Sequence, residues 1–337
     1  VYLMNSNLAS LLLSSVMSWD YVGLNSERPE LEFMGSMKYD AYDRFMPGTR
    51  FMSSLVQWLN QFDEEDRATV LNFVKKKLVF ISSPQMNYLV DLLYDSKIRP
   101  ILLRKATENA QTPSYILCNK KVQKQFEIEK RSSLVVGLSD GAHTDILRRS
   151  AGFSNEQVLT NYYPDGKKLK DMLKDLREDK KLEGVENVYF RNIFLIDDFT
   201  ASGKSFVRYD EKAKKFKGKL SKIIDELYAT NIEPTEEEKK EGKKEELHLS
   251  YLLDANQPEI HIDILFCMAT QKAEDNIRKS LDDFLEKRGY SKIKVPYPCG
   301  AETGRVPEQG YYRRPGSDES VRKAQVPSPE PEGRYCL

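Results

Sequence analysis

Cysteine and histidine are scarce in this sequence. Its 337 residues include four cysteines and three histidines, scattered without the short spacings of a zinc site or a disulfide framework. The cysteines are Cys118, Cys267, Cys299 and Cys336, and the histidines are His143, His248 and His261. So few cysteines are typical of a protein of the reducing cytoplasm. The sequence therefore predicts a cytoplasmic protein without structural zinc.

Net charge and long apolar runs are also absent. Lys and Arg together number 52, as do Asp and Glu, so no overall charge draws the chain to nucleic acid or to a membrane. No apolar run is long enough to span a bilayer. Residues 8–17 resemble the apolar part of a signal peptide, but no basic stretch precedes them and the first cation is Arg28. We interpret them as a buried or amphipathic helix.

One stretch combines a buried strand with two acids and a small, hydroxyl-rich loop. Residues 193–196 are four apolar residues, which is typical of a strand buried on both faces. Asp197 and Asp198 follow, and the loop at 200–205 reads Thr-Ala-Ser-Gly-Lys-Ser. Ligands of α/β proteins bind at the carboxyl ends of such strands. We therefore expect a ligand site here.

The 200–205 loop has the composition of a phosphate-binding loop. Small residues let backbone N–H groups converge on an anion, and Gly203 tolerates backbone angles that are closed to other residues. Three hydroxyl side chains add donors, and Lys204 adds a positive charge. We expect the next helix to begin near Lys204, so that the positive end of its dipole faces the same anion.

The acids beside this loop suit a sugar. Asp197 and Asp198 can accept hydrogen bonds from vicinal hydroxyls, or hold Mg²⁺ through its water molecules. A phosphate site next to such a site describes a ribose 5-phosphate. A Walker A loop is the main alternative, since residues 202–205 end like one. That motif requires glycine where Asp198 stands, and a carboxylate there would face the triphosphate.

Residues 193–205 resemble the phosphoribosyl-diphosphate motif of type I phosphoribosyltransferases, which has a hydrophobic strand, two acids and a Thr/Ser/Gly loop. The resemblance implies that Asp197 and Asp198 contact the ribose hydroxyls and take part in Mg²⁺ binding. It also implies that the 5-phosphate binds the loop. The loop residues are Thr200, Ala201, Ser202, Gly203, Lys204 and Ser205.

A second small loop, at 139–142, follows another predicted strand at residues 133–138. In type I phosphoribosyltransferases the corresponding loop binds pyrophosphate, and the resemblance gives that role to this loop. Its residues are Ser139, Asp140, Gly141 and Ala142. Asp140 stands where the family has Arg or Lys, so either Asp140 works through Mg²⁺ or nearby basic side chains supply the charge. The basic candidates are His143, Arg148 and Arg149.

We predict an α/β fold of the phosphoribosyltransferase-like type, with a doubly wound, mainly parallel sheet and a helical N-terminal domain. Apolar residues at helical spacing in residues 49–62 support that helical domain. The predicted parts are a helical domain at 1–103, an α/β domain at 104–296 with a charged insertion at 208–255, and a disordered, proline-rich tail at 297–337.

Shorter segments carry their own predictions. Residues 162–166 are a candidate for a mobile catalytic loop by their turn composition only, and we favour the interpretation that they do not have that role. Further strands are predicted at 260–268 and 293–295, and helices at 119–130, 211–228, after an N-cap at Asp63, after a cap at Ser83 and after a capping box at 154–157.

Three functions remain open from the sequence. The first is an enzyme that binds phosphoribosyl diphosphate with Mg²⁺ and transfers phosphoribosyl to an unknown base, releasing pyrophosphate. The second is a non-catalytic sensor of a phosphorylated ribose or nucleotide, which Asp140 favours. The third is a P-loop NTPase that depends on Lys204.

Both loops together resemble the phosphoribosyltransferase-like domains of bacterial conflict and phage-defence operons. That resemblance implies a cytoplasmic effector in antiviral defence, with an oligomeric or operon-encoded partner. The balanced charge argues against a nucleic-acid partner, and the lack of a spanning run argues against a membrane partner.

Overall fold

A computed structural model describes residues 6–40, 50–113, 119–160, 163–234 and 245–295 of the chain. A parallel sheet lies at its centre. Its strands are β1 (Ser133–Gly137), β2 (Val158–Leu159), β3 (Asn192–Thr200), β6 (Ile260–Ala269) and β7 (Ile293–Lys294), and a separate antiparallel hairpin is formed by β4 (Arg208–Asp210) and β5 (Lys215–Lys217). The five strands of the sheet lie in the order β2-β1-β3-β6-β7, all parallel. The predicted doubly wound parallel sheet is confirmed.

Helices cover both faces of this sheet. The α-helices are α1 (Ser6–Val16), α2 (Tyr21–Met34), α3 (Phe51–Leu59), α4 (Glu64–Lys76), α5 (Ser83–Leu93), α6 (Arg99–Asn109), α7 (Lys120–Arg131), α8 (Thr144–Ala151), α9 (Gly166–Arg177), α10 (Lys219–Tyr228) and α11 (Gln271–Arg288). Helices α5, α6 and α8 pack with Val135, Phe194 and Leu265 on one face. Helices α9, α10 and α11 pack with Leu195 and Ile264 on the other. Burial on both faces explains the continuous apolar runs of the strands.

The first four helices build a separate apolar cluster. Leu13, Leu31, Leu59 and Leu71 are buried in it, and α5 and α6 lie against the sheet instead. The division of the chain at residue 103 stays a prediction, and the proposed tail lies outside the described residues. Within the described ranges, no helix combines the length and apolar character that crossing a bilayer requires.

Residues favoured at N-caps precede two of these helices, and that of α5 makes a side-chain capping bond whereas that of α4 does not. Asp63 occupies the N-cap of α4, as predicted, with three acids in the first turn. The N-cap of α5 is Ser82, one residue before the predicted Ser83, and it forms a capping box with Gln85. Pro84 falls within the first turn of α5, where a missing N–H costs nothing.

The segment after the 200–205 loop differs from the prediction. No helix begins near Lys204, and residues 211–218 are not helical; the hairpin of β4 and β5 occupies this segment, and α10 begins only at Lys219. Asp210 is the reason, because its side chain accepts the backbone N–H groups of Lys212 and Ala213 at 3.0 Å. Such a local side-chain bond competes with helix formation and stabilises a turn.

The capping box at Ser154 and Gln157 is present, but it opens a single 3₁₀ turn and not an α-helix. Gln157 is the reason, since its side-chain amide donates to the carbonyl groups of Lys130 and Ser133 at 2.7 and 3.0 Å. These bonds hold the segment beside β1, where the chain continues directly into β2.

Arg131, at the end of α7, fixes the approach to β1. Its guanidinium is 4% exposed and pairs with Glu156 and Asp179 at 2.5 Å each. Burial alone would raise the pKa of Asp179, but the hydrogen bond and charge of Arg131 outweigh it and hold that pKa below its ordinary value. The pairs therefore favour folding while the carboxylates are ionised.

Replacing Arg131 with Met should lower the free energy of unfolding by about 2 to 3 kcal/mol, because two partly buried carboxylates lose their counter-charge. Urea denaturation at pH 7 measures this difference. Asp179 contributes fully to the free energy of unfolding above about pH 4, which is the pKa of an aspartate in the unfolded chain. The contribution is lost as the pH falls through the lower pKa of Asp179 in the folded protein. The deficit of R131M should therefore shrink in acid.

Arg149→Met provides the control, since Arg149 is exposed on α8. We expect a change of less than about 0.5 kcal/mol at either pH. Equal losses in the two variants would contradict the role assigned to Arg131.

Candidate functional site

The register of the two central strands brings both predicted loops to one edge of the sheet. β1 ends at Gly137, which lies opposite Ile196 of β3, and the N–H of Leu138 donates to the carbonyl of Ile196 at 2.8 Å. Strand β3 continues four residues further, alongside β6, up to Thr200. Because β1 connects to β2 on one side and β3 leads to β6 on the other, this edge is the switch point where α/β proteins bind ligands.

Asp197 points into the protein and both of its oxygens are engaged. The side chain is 1% exposed, and its Oδ2 pairs with Lys219 Nζ at 2.8 Å. Its Oδ1 accepts the hydroxyl of Ser139 and, at 3.2 Å, the backbone N–H of Asp198. One buried carboxylate thus joins β3, the 139–142 loop and the start of α10.

Asp198 is the accessible member of the acid pair. Its side chain is half-buried, and its Oδ1 accepts the backbone N–H of Phe199 at 2.7 Å. Burial raises the pKa of Asp198, and the neighbouring charge of Asp197 raises it further, against the lowering effect of the backbone bond. A ligand that brings a hydroxyl donor or positive charge would relieve both effects.

Gly141 lies close to the side chain of Asp198. A Cβ atom at residue 141 would lie 2.5 Å from Asp198 Oδ2 and 3.0 Å from its Cγ. The 139–142 loop therefore lies directly against the side chain of Asp198. Ser139 precedes a 3₁₀ turn at Asp140–Ala142, and Asp140 itself is exposed.

The basic residues near this loop differ in position. His143 follows the loop directly, with φ at +47°, as the N-cap of α8. Arg148 and Arg149 lie in the last turn of α8, at the end of the helix away from the loop. Of the three candidates for the missing positive charge, the structure places only His143 beside the loop.

The carbonyl groups of the 200–205 loop are tied to the protein. Thr270, the N-cap of α11, donates its hydroxyl to the carbonyl of Ala201 at 2.5 Å, and Asn276 donates its amide to that of Ser202 at 2.9 Å. The other carbonyls, with their donors, are Gly203 with Phe206 N–H at 3.1 Å, Lys204 with the Arg208 guanidinium at 2.9 Å, and Ser205 with Lys219 N–H at 3.2 Å.

The backbone N–H groups of the same loop are available. Those of Ser202, Lys204 and Ser205 have no hydrogen-bond acceptor in the part of the chain that the structure describes, and all three residues are exposed. A loop with bonded carbonyls and available N–H groups has a positive outer surface, which is the arrangement of an anion-binding nest. It replaces the helix dipole that the sequence led us to expect.

Gly203 allows this loop to lie against α11. Its φ is +71°, and a Cβ there would lie 2.8 Å from the carbonyl oxygen of Ala273 and from Ile277 Cγ1. The absence of a helix at Lys204 also bears on the Walker A alternative, since a P-loop leads from a strand directly into a helix. This chain leads from the loop into a hairpin.

Two accessible carboxylates lie at this edge, the half-buried Asp198 and the exposed Asp140. In the described ranges, no cluster of three or more His, Cys, Asp or Glu side chains could enclose a metal ion. Asp197 is occupied by Lys219 and Ser139, whereas Asp198 is half-buried and close to the 139–142 loop. Mg²⁺ keeps several waters and binds through few carboxylates together with substrate phosphates, so the chemistry of Asp198 fits it.

Sequence reasoning missed three residues that build the site: Lys219, Thr270 and Asn276. Lys219 lies within a segment predicted as a lysine-rich helix, where no pattern distinguishes it from the other lysines. The small turn containing Thr270 follows β6, so proximity to the same edge could be inferred, but its bond to Ala201 could not. Tyr162 of the predicted catalytic loop lies outside the described residues.

Comparison with known proteins agrees with this geometry. No curated protein and no solved structure matches the chain at a significant level. The family model PRTase-CE matches residues 55–303, which include the whole sheet and both loops. With well over half of its length matched, the chain belongs to the PRTase-CE family of phosphoribosyltransferase-like domains.

Proposed function

We propose that this protein binds phosphoribosyl diphosphate at the edge formed by β1 and β3 and transfers the phosphoribosyl group to a nitrogen nucleophile. The observation that supports this most directly is the polarity of the 200–205 loop, whose carbonyls are bonded while three N–H groups are available. These N–H groups would bind the 5-phosphate. The hydroxyls of Thr200, Ser202 and Ser205 and the charge of Lys204 would add to them.

The two acids have different roles in this proposal. Asp198 is accessible and would accept a ribose hydroxyl. Asp197 is buried against Lys219 and Ser139, so it would not contact the sugar itself. It would instead hold the neighbouring residues in the positions from which they bind the sugar. Its hydrogen bond from the N–H of Asp198 holds the backbone of the accessible acid in place.

The pyrophosphate would lie at the 139–142 loop, beside Asp198. Asp198 is the residue that would hold Mg²⁺, through water. When bound, Mg²⁺ would neutralise charge on the leaving diphosphate. This arrangement also accounts for Asp140. Without a cation, its carboxylate would be repelled by the diphosphate, whereas a bound Mg²⁺ would make the carboxylate favourable there.

The reaction breaks the bond between C1 of the ribose and the diphosphate oxygen, which leaves with the electron pair. The nitrogen lone pair forms the new bond to C1, and the proton of the nitrogen passes to solvent. The positive charge that develops on the sugar ring in such glycosyl transfers is stabilised by nearby carboxylates. The described residues contribute positioning and electrostatics, and none is assigned as a general base.

A sensor without turnover is the second candidate. Asp140 in the pyrophosphate position and the ion pair that occupies Asp197 both favour binding over catalysis. Pyrophosphate release in the presence of bases separates the two functions, because a sensor would bind the donor and leave it intact. A role as a cytoplasmic effector in bacterial defence belongs to the same proposal and depends on the resemblance of the two loops.

Asp198→Asn should weaken the binding of phosphoribosyl diphosphate with Mg²⁺ about 10- to 100-fold, because a hydrogen bond to a charged acceptor contributes about 1.5 to 3 kcal/mol. Isothermal titration calorimetry of the full chain measures this. Asp171→Asn, at an exposed position of α9, is the matched control and should bind like the wild type. Equal affinities for all three proteins would refute the role of Asp198.

Gly203→Ala should reduce the affinity for phosphoribosyl diphosphate at least about tenfold. The added Cβ meets the Ala273 carbonyl and forces the 200–205 loop away from α11. Gly289→Ala is the matched control, since Gly289 has a φ of +70° with nothing within 4 Å of the added Cβ.

The positive φ should destabilise both glycine variants by a similar amount, about 1 kcal/mol, which lowers the midpoint of unfolding. Only G203A should lose donor binding in calorimetry. A loss of the same size in G289A would mean that strain alone explains it, and the phosphate role of the loop would be rejected.

A further inference from the structure

A second anion compartment lies beside the donor site. It is a cleft of about 600 Å³ between the β4–β5 hairpin, the first turns of α10 and Tyr163. Neither acid of the pair lines it, nor do residues 139–142 or 200–204. Its inner end is formed by Leu138, which precedes the 139–142 loop, and by Ser205, the last residue of the 200–205 loop. The cleft thus meets the proposed donor site at Ser205 and is otherwise lined by residues outside the two loops. Its volume is typical of a small-molecule site.

The walls of the cleft are strongly basic. Its lining contains five cations and a single acid, Asp225, which is already bonded to Arg288 at 3.1 Å and to the Tyr290 hydroxyl at 2.7 Å. The cations are Arg208, Lys215, Lys217, Lys219 and Lys222. This concentration of one sign contrasts with the whole chain, where positive and negative residues are equal in number. A cleft lined by one sign of charge attracts ligands of the other.

Three of these cations are not neutralised by a carboxylate among the described residues. Lys217 pairs with Asp210 at 2.6 Å, and Lys219 pairs with Asp197 at 2.8 Å. Lys215 and Lys222 are exposed and have no ion-pair partner among the described residues, and Arg208 is bonded only to the neutral carbonyl of Lys204. A phosphate monoester carries about −1.5 to −2 charges at pH 7, which three such cations can balance.

The cleft also offers aromatic surface. Tyr163 is 50% exposed at its wall, and the hairpin contributes Phe216, which packs edge-on against Phe284. Exposed aromatic rings stack on nucleobases irrespective of base identity. The cleft therefore offers lysines for a phosphate and a half-exposed ring for a base. Its inner end lies at the donor site, where the reacting carbon of the donor would be.

We propose that the acceptor of this enzyme is a phosphorylated nucleoside, whose phosphate binds Lys215, Lys222 and Arg208 and whose base lies toward Leu138 and Ser205. The proposal rests on the proposed transferase function, because it assigns the second compartment to the second substrate. Free nucleotides and the phosphorylated end of a polynucleotide share this chemistry. A free base, which lacks the phosphate, would leave the lysines unpaired.

The test measures donor and acceptor binding separately, in the full-length chain. The four nucleoside 5′-monophosphates, the matching nucleosides and a 5′-phosphorylated oligonucleotide are titrated by calorimetry, and phosphoribosyl diphosphate is titrated in parallel. The variant is Lys215→Gln/Lys222→Gln, and the control is Lys124→Gln/Lys279→Gln, at exposed positions of α7 and α11. Thermal melts verify that both variants fold, as expected for exposed substitutions.

We expect at least one nucleotide to bind the wild type at least 100-fold more tightly than its nucleoside. The cleft variant should lose at least tenfold of that affinity while keeping its affinity for phosphoribosyl diphosphate, and the control should lose neither. The same nucleotide should then stimulate pyrophosphate release. If only the oligonucleotide binds, with the same dependence on the lysines, the phosphate belongs to a polynucleotide end and the shared chemistry is upheld.

Three results would overturn the proposal. Nucleotide binding that is equal in wild type and cleft variant would show that the lysines do not bind the phosphate. An equal loss of donor affinity in the cleft variant would assign the cleft to the donor's own diphosphate. Lysine-dependent nucleotide binding in a wild type that never binds phosphoribosyl diphosphate would refute the transferase function, and with it the acceptor role of the cleft.

Discussion

The parallel pairing of β1 with β3 is the constraint on which the site depends. Because Gly137 lies opposite Ile196, the 139–142 loop leaves the sheet where the acid pair begins. The buried carboxylate of Asp197 then joins the loop, through Ser139, to the start of α10, through Lys219. A shift of this register by one residue would reverse the faces of the paired side chains and separate Asp197 from Ser139.

The 200–205 loop obtains its polarity from tertiary bonds. In the common solution, a helix that follows such a loop directs its free N–H groups at the phosphate. Here the chain turns into a hairpin, and donors from α11, α10 and the hairpin bind the carbonyls of the loop instead. The result is similar, since N–H groups remain for an anion. The hairpin and the proposed anion site therefore belong to one arrangement, and the hairpin also supplies Lys215 and Lys217 to the adjacent cleft.

Balanced overall charge conceals a local separation of charge. The acid pair lies at the ends of the strands, and the cations collect on the hairpin and the first turns of α10. Lys219 connects the acids with the cations, because it lines the basic cleft and neutralises Asp197. Asp198, by contrast, has no such cation in contact among the described residues, and burial and Asp197 raise its pKa. This contrast distinguishes a structural carboxylate from one that is available to a ligand.

The sequence by itself determined four of the five strands of the sheet and the position of the candidate site along the chain. Apolar runs ending in small or acidic residues identify β1 and β3, since strands buried on both faces leave few other patterns, and the order of the two loops along the chain matched a known family. It did not determine which acid is accessible, because two neighbouring aspartates are identical until Ser139 and Lys219 engage one of them. Nor did it determine the hairpin, since the turn at Asp210 depends on local side-chain bonds within a lysine-rich stretch of helical spacing. Only the tertiary structure decided these points, because hydrogen bonds and ion pairs between residues far apart in the chain leave no periodic pattern in the sequence.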